Sequence, residues 1–293
     1  MTFNEGADIS SGRVTSRGRN AAIIGGGGGG LVVIVLLIVS AVTGVDLTSL
    51  AGTGTSGGNT STDQTLHCTA QQANTDPKCR VQGAAASIDA YWKSAAPQLN
   101  FTYASPNPVV LFDGNTDTGC GQATTDIGPF YCPNDQTIYL DTAFYAELQS
   151  RFGASGGPLA QEYVIAHEWG HHIQNISGIM TGLDLTQTGP TSDSVRLELQ
   201  ADCFAGSWAG AASTTKDASG NYFLDTITDA QIADALNAAA SVGDDHIQKA
   251  TQGQVNQESW THGSSAQRQK WFTYGYEQGP AGCDAFGASA TEL

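Results

Sequence analysis

The chain has 293 residues, 40% of them hydrophobic, with 28 acidic and 12 basic side chains and a formal net charge of −16. That length accommodates a sizeable core. The charge balance argues against nucleic acid as a partner, because phosphate binding draws on basic patches that a strongly acidic chain does not supply.

Residues 1–20 carry Arg13, Arg17 and Arg19 and read as a cytoplasmic N-terminal tail. Residues 21–45 hold no charged side chain, and the run LVVIVLLIVSAV from Leu31 to Val42, with part of the flanking glycine run, reaches the ~20 residues of a membrane helix. No basic residue follows until Lys78, so the positive-inside rule predicts a single-pass protein of the cell membrane, N-terminus in the cytoplasm and the rest outside. Val39, Ser40 and Ala41 leave open a cleaved export signal, which delivers the same domain. Residues 46–65, rich in Gly, Ser and Thr, read as a flexible linker, and the globular domain is expected over 66–293. All six cysteines follow the apolar segment and no CxxC pair occurs, so disulfides are the default reading. The two local pairs, Cys68 with Cys79 and Cys120 with Cys132, would leave Cys203 to join Cys283.

Within the domain a helix is expected around Ala84 to Ala95, then strands at Val109 to Phe112 and Thr137 to Asp141. Helical patterns follow from Thr142 to about Phe152, from Pro158 to Ile176 and from Asp193 to Ala212. Two more helices should start after Thr228, which forms a capping box with Gln231, and after Ser264, which does so with Gln267. The fold class is therefore a helix-rich α+β domain with a small sheet.

The chemistry concentrates in IAHEWGHHIQ, residues 165–174. On a helix, His167 and His171 are four residues apart and project from one face, close enough for both imidazoles to bind one ion. In the HExxH pattern the glutamate, here Glu168, is no ligand: it takes a proton from water acidified by zinc, and the hydroxide attacks a carbonyl carbon. An isolated match also arises by chance on amphipathic helices, so a third ligand is needed. Metzincins place a histidine six residues after the second one, where this chain has Ser177, and are excluded. SVRLELQADCFAGSW offers instead Glu198 and, four residues on, Asp202. Glu198 can complete the zinc site while Asp202 accepts a hydrogen bond from the far nitrogen of a ligand histidine. A solvated charged face would explain the pair too, but the neighbours Leu199, Ala201, Cys203, Phe204 and Trp208 make this helix a buried one, and buried carboxylates need partners.

At this point the sequence resembles the bacterial membrane-anchored neutral zinc metallopeptidases, through VDLTSL, CGQATTDIGPFYCPNDQTIYLD, YVIAHEWGHHIQ, ELQADCFAGSWA, ALNAAASVGDD and THGSSAQRQKWF. The resemblance spans roughly Val45 to Ala285. It implies a zincin-like, gluzincin-type peptidase domain with one Zn2+ per chain held by His167, His171 and Glu198, Glu168 as general base and Asp202 as orienter. ELQAD is also similar to the ExxAD of integral-membrane peptidases that carry an HP-containing C-terminal motif. THGSSAQR looks like a variant of that motif with Gly263 in place of proline, which weakens any transfer of role to His262 and Arg268.

Other residues are less committed. His172 lies about 140° round the helix from His167 and reads as packed or hydrogen-bonded. His246 reads as structural, although Asp244 and Asp245 beside it suit a cation. His262, just ahead of a capped helix, is a candidate catalytic donor to the oxyanion of peptide hydrolysis, with a structural role equally open. Ile138 to Leu140 suit either an internal strand or a sheet edge that holds an extended substrate. The sequence thus points to a membrane-anchored zinc metallopeptidase acting on peptide or protein substrates, with the membrane engaged through an N-terminal helix. Two rivals remain: a non-catalytic envelope binding or assembly factor on a peptidase scaffold, which the intact Glu168 disfavours, and an acidic structural cation site.

Overall fold

Strong start signals set most of the helices. The computed structural model describes residues 2–18 and 63–293; the span expected over residues 21–45 and nearly all of the expected linker lie outside them. The helices are α1 (Ala70–Ala73), α2 (Pro77–Ala95), α3 (Phe144–Phe152), α4 (Pro158–Ile176), α5 (Asp193–Ala211), α6 (Asp229–Ser241), α7 (Asp244–Gln252) and α8 (Ser265–Gln278). Both expected capping boxes form, Thr228 with Gln231 and Ser264 with Gln267. Helix α2 starts seven residues earlier than expected because Asp76 caps it, accepting from the Lys78 and Cys79 amides, and Pro77 occupies its first position.

The strands are β1 (Val14–Ser16), β2 (Gln64–Thr65), β3 (Val109–Phe112), β4 (Asn115–Thr118), β5 (Gly121–Thr124), β6 (Phe130–Cys132) and β7 (Thr137–Asp141). Five form a mixed sheet in the order β2-β1-β3-β7-β6, and β4 pairs with β5 as a separate hairpin. Strands β3 and β7 run parallel, Val110 opposite Tyr139, and every residue of both is buried, in keeping with their near-continuous apolar character. The substrate-edge reading of Ile138 to Leu140 is thereby corrected: β7 lies between β3 and β6, and the sheet ends at β6.

The domain boundary is also corrected. Residues 2–18, expected as a separate tail, are built into the domain: β1 pairs parallel with β3 and antiparallel with β2, and Phe3, Ile9 and Val14 are buried. Gln64 and Thr65, expected in the linker, are strand residues for the same reason. Among the described residues no helix is long and apolar enough to cross a membrane.

Helices α2, α4, α5 and α8 share the main core, with Trp92 of α2 edge-on to Phe204 of α5 and the Trp208 indole donating to Ser87 Oγ. Helices α5 and α8 touch backbone to backbone: a Cβ on Gly275 would lie 1.9 Å from the Cys203 carbonyl oxygen, so no larger residue fits without moving a helix. The disulfides are Cys68–Cys79, Cys120–Cys132 and Cys203–Cys283, the pairing expected, and the last ties α5 to the C-terminal segment after α8.

One buried carboxyl on α4 stands apart from the metal ligands. Glu162 is 1% exposed and neither of its oxygens has a hydrogen-bond partner. Burial lifts its pKa from 4.5 to about 8, with Arg80 opposing. Because the folded-state pKa is the higher one, the folded chain holds a proton that the unfolded chain has released, and stability falls as pH rises from about 4.5 toward 8. We predict that Glu162→Gln melts at nearly the wild-type temperature at pH 4.5 and several degrees above it at pH 8. Parallel melting curves for the two proteins across that range would show that Glu162 ionises as freely when folded as when unfolded.

Candidate metal centre

Helix α4 carries His167, Glu168 and His171, and α5 carries Glu198 and Asp202. Gly170 lets the two helices approach: a Cβ there would stand 3.0 Å from both the Cα and the carbonyl oxygen of Ala201. The crossing brings one ligand atom each from His167, His171 and Glu198 within 4.8 Å of one another. His167 Nε2 lies 3.1 Å from Glu198 Oε2, and His171 Nε2 lies 3.4 Å from Glu198 Oε1. Nitrogen and oxygen ligands around tetrahedral zinc at ~2.0–2.2 Å sit roughly 3.3 Å apart, so this donor set fits the ion. The three side chains are 9%, 12% and 17% exposed, so each keeps a little contact with solvent.

Each histidine is held by its other nitrogen. His167 Nδ1 donates to Asp202 Oδ1 at 2.9 Å, since a carboxylate only accepts. Asp202, fully buried, also accepts from Tyr163 Oη at 2.5 Å, from Arg268 Nε at 2.7 Å and from Arg268 Nη2 at 3.0 Å. Burial by itself would raise the Asp202 pKa, but Arg268 and His167 hold it below the usual range. Burial likewise opposes charge on His167, yet Asp202 and Glu198 carry its pKa up to about 10. Metal binding there displaces a proton, so affinity is tied to pH. His171 Nδ1 donates to Gln174 Oε1 at 2.9 Å, and the Gln174 amide nitrogen donates onward to the Leu197 carbonyl at 2.7 Å and to Gln200 Oε1 at 3.1 Å. Both imidazoles are therefore locked with Nε2 toward Glu198.

Sequence reasoning anticipated Asp202 but not Tyr163, Gln174 or Gln200, and it left Arg268 without a role. Signals existed for the first two: Tyr163 lies four residues before His167 and Gln174 three after His171, both spacings of one helix face. Arg268 reaches Asp202 from α8, a pairing that no local spacing reveals. His172 is a packed residue, fully buried, with Nδ1 3.1 Å from Tyr131 Oη and Nε2 donating to the Ala104 carbonyl at 2.7 Å.

Glu168 is 7% exposed, and burial raises its pKa against the pull of His171 and His167. His262 sits in the loop before α8 with about a quarter of its side chain exposed, 26%. Burial would lower its pKa, but Glu198 and Asp244 raise it, so its ring lies within electrostatic reach of the metal ligands. Asp244 organises this loop. Its Oδ2 accepts from the amides of Thr261, His262 and Gly263 at 2.8, 2.7 and 2.9 Å, and its Oδ1 lies 3.4 Å from His262 Nδ1. Asp245 accepts from the Ser265 amide and hydroxyl at 2.7 and 2.8 Å. The aspartates considered as a cation site thus brace the backbone ahead of α8. Gly263 has φ +86°, a region closed to the proline that the HP motif would place there, so the departure in THG changes the backbone itself.

Two imidazoles and a carboxylate, converging from two crossed helices with an adjacent glutamate, define a candidate mononuclear metal centre of the hydrolytic type. Residues 4–286 match the family described as "Putative neutral zinc metallopeptidase", and the chain belongs to that family. It is 50% identical over 223 residues to uncharacterized protein Rv2575 of Mycobacterium tuberculosis, covering 75% of this chain and 74% of the relative. To uncharacterized protein YpfJ of Escherichia coli K12 it is 41% identical over 210 residues, 70% of this chain and 69% of the relative. No solved structure matches the chain.

Removal of the third donor checks the geometry. Glu198→Ala is expected to keep well under half of the zinc that the unaltered protein keeps after dialysis, measured by elemental analysis of folded protein. Full zinc retention in that variant would place the third donor elsewhere.

Proposed function

We propose that the protein is a zinc-dependent peptidase in which His167, His171 and Glu198 hold one Zn2+ per chain and Glu168 is the general base. The observation that carries the reading is the convergence of those three donors within 4.8 Å beside a nearly buried glutamate. When bound, zinc supplies Lewis acidity, which lowers the pKa of water toward neutrality and polarises a carbonyl. Glu168 accepts the proton of the attacking water and passes it to the leaving amine; its raised pKa brings it nearer the range in which it can do both. Asp202 and Gln174 keep the histidines oriented, and Arg268 balances the Asp202 charge. His262, steadied by Asp244, offers a donor to the oxyanion that forms on the peptide carbonyl, and the carboxylates of Glu198 and Asp244 raise its pKa against the effect of burial.

A peptide or protein is the substrate class that the family supports. Among the described residues β6 is the sheet edge on the α4 side, where Tyr131 meets His172 and Asn175, and that edge suits an extended substrate. Three disulfides favour an oxidising, extracytoplasmic location for the domain.

The reading is tested by Glu168→Gln, which should keep its zinc and lose peptide hydrolysis, because an amide cannot take the proton. Wild-type turnover in a zinc-loaded Glu168→Gln protein would remove this mechanism. His262→Ala separates catalysis from structure: zinc content and melting temperature should stay near wild type while kcat falls ~10²-fold to 10³-fold, the loss typical of one oxyanion donor. Retained kcat with a lowered melting temperature would make His262 structural. Asp244→Asn should lower kcat less and leave KM nearly unchanged.

A further inference from the structure

The charge-free segment expected to cross the membrane is flanked by two strands that are partners in one sheet. Strand β1 ends at Ser16 and β2 begins at Gln64, and these two residues face each other across an antiparallel pair, as do Thr15 and Thr65. The side chains beyond them close the same gap: Arg17 Nε lies 2.9 Å from Asp63 Oδ1. Both ends of the intervening segment are therefore held about one strand spacing apart, ~5 Å, whereas one crossing of a bilayer core sets them ~30 Å apart.

The pair lies at the β2 edge of the sheet, where Gln64 and Thr65 are exposed, but β1 itself is built into the fold. Strand β1 lies between β2 and β3, with Val14 opposite Val109 and Ser16 opposite Leu111, and Val14 is 0% exposed. The residues before it are fastened at several points. The Phe3 amide donates to Asn74 Oδ1 at 2.7 Å, the Asp8 amide donates to Asp217 Oδ2 at 2.8 Å, and a Cβ on Gly12 would lie 2.1 Å from the Gln82 carbonyl oxygen on α2. Two of the three arginines behind the positive-inside reading are engaged with the domain: Arg13 donates to the Pro106 carbonyl, and Arg17 donates to Thr116 Oγ1 and the Asp117 carbonyl, both at 2.8 Å. A peptide on the far side of a bilayer cannot make these bonds.

We propose that residues 2–18 and the metal-binding domain lie on the same side of the membrane. The number of crossings between two ends on one side must be even. The inference replaces the single-pass topology and is independent of the peptidase reading.

The test uses the full-length protein in cells. All six native cysteines are paired, so an added cysteine is the one free thiol. Ser11→Cys and Ala218→Cys place it at exposed positions in the N-terminal segment and in the domain, and Gly18→Cys, where an added Cβ meets nothing within 4 Å, replaces Ser11→Cys should that variant fold poorly. Each is treated with a membrane-impermeant maleimide in intact cells and again after permeabilisation. The ratio of the two labelling yields is expected to be the same, within about twofold, for the N-terminal and domain positions. Labelling of the domain cysteine in intact cells, with the N-terminal cysteine reached only after permeabilisation, would overturn the proposal and restore a single crossing.

Discussion

One carboxylate joins three helices at the centre of the molecule. Asp202 on α5 accepts from His167 and Tyr163 of α4 and from two nitrogens of Arg268 on α8. A buried ion pair gains little net stability, because desolvation offsets most of the attraction, but removing one partner leaves a bare buried charge and costs ~3–5 kcal/mol. The network therefore acts mainly on geometry. It sets the tautomer of His167, fixes how α4 lies against α5, and joins α8, whose N-terminal loop carries His262, to the same point. The close crossings at Gly170 and Gly275 make room for it, since side chains there would push apart the helices that Asp202 joins.

The electrostatics of the cluster follow from this arrangement. Burial disfavours charge on every member, yet Glu198 stays well below the usual carboxylate range because His171, His262 and His167 surround it. Glu168 has lost more solvent than its positive neighbours restore, and its pKa rises. Two glutamates on facing helices are thus driven in opposite directions, one toward permanent charge and one toward proton exchange. That separation suits a ligand and a base.

Much of this was legible in the sequence where the signal is local. Helix α4 and strands β3 and β7 fall where periodicity placed them, because caps, a proline at N1 and apolar runs decide such boundaries within a few residues. HExxH and ExxxD named all three donors later found together, since i,i+4 spacing on a helix is already a statement about space. The largest misses are nonlocal. Nothing near Val14 announces that it pairs with Val109, and three arginines before an apolar run read more naturally as a topology signal than as a strand with anchors. Helix α7 was also missed; it has no side-chain cap, and its first aspartate is engaged by amides seventeen to nineteen residues away.

The N-terminal strand also bears on how the domain is held together. With β1 in place, β3 is paired on both sides; without it, β3 would present an open, wholly apolar edge of the kind that promotes aggregation. A segment that a truncated design would discard as a tail is part of the central sheet.

The central claim is that His167, His171 and Glu198 form one zinc site whose histidines are both bound through Nε2. X-ray absorption at the zinc edge, on purified full-length protein loaded with one equivalent, tests it most directly. The account predicts four light ligands at about 2.0 Å with multiple scattering from two imidazoles and no sulfur shell. A sulfur shell near 2.3 Å, or the signature of three or more imidazoles, would contradict it.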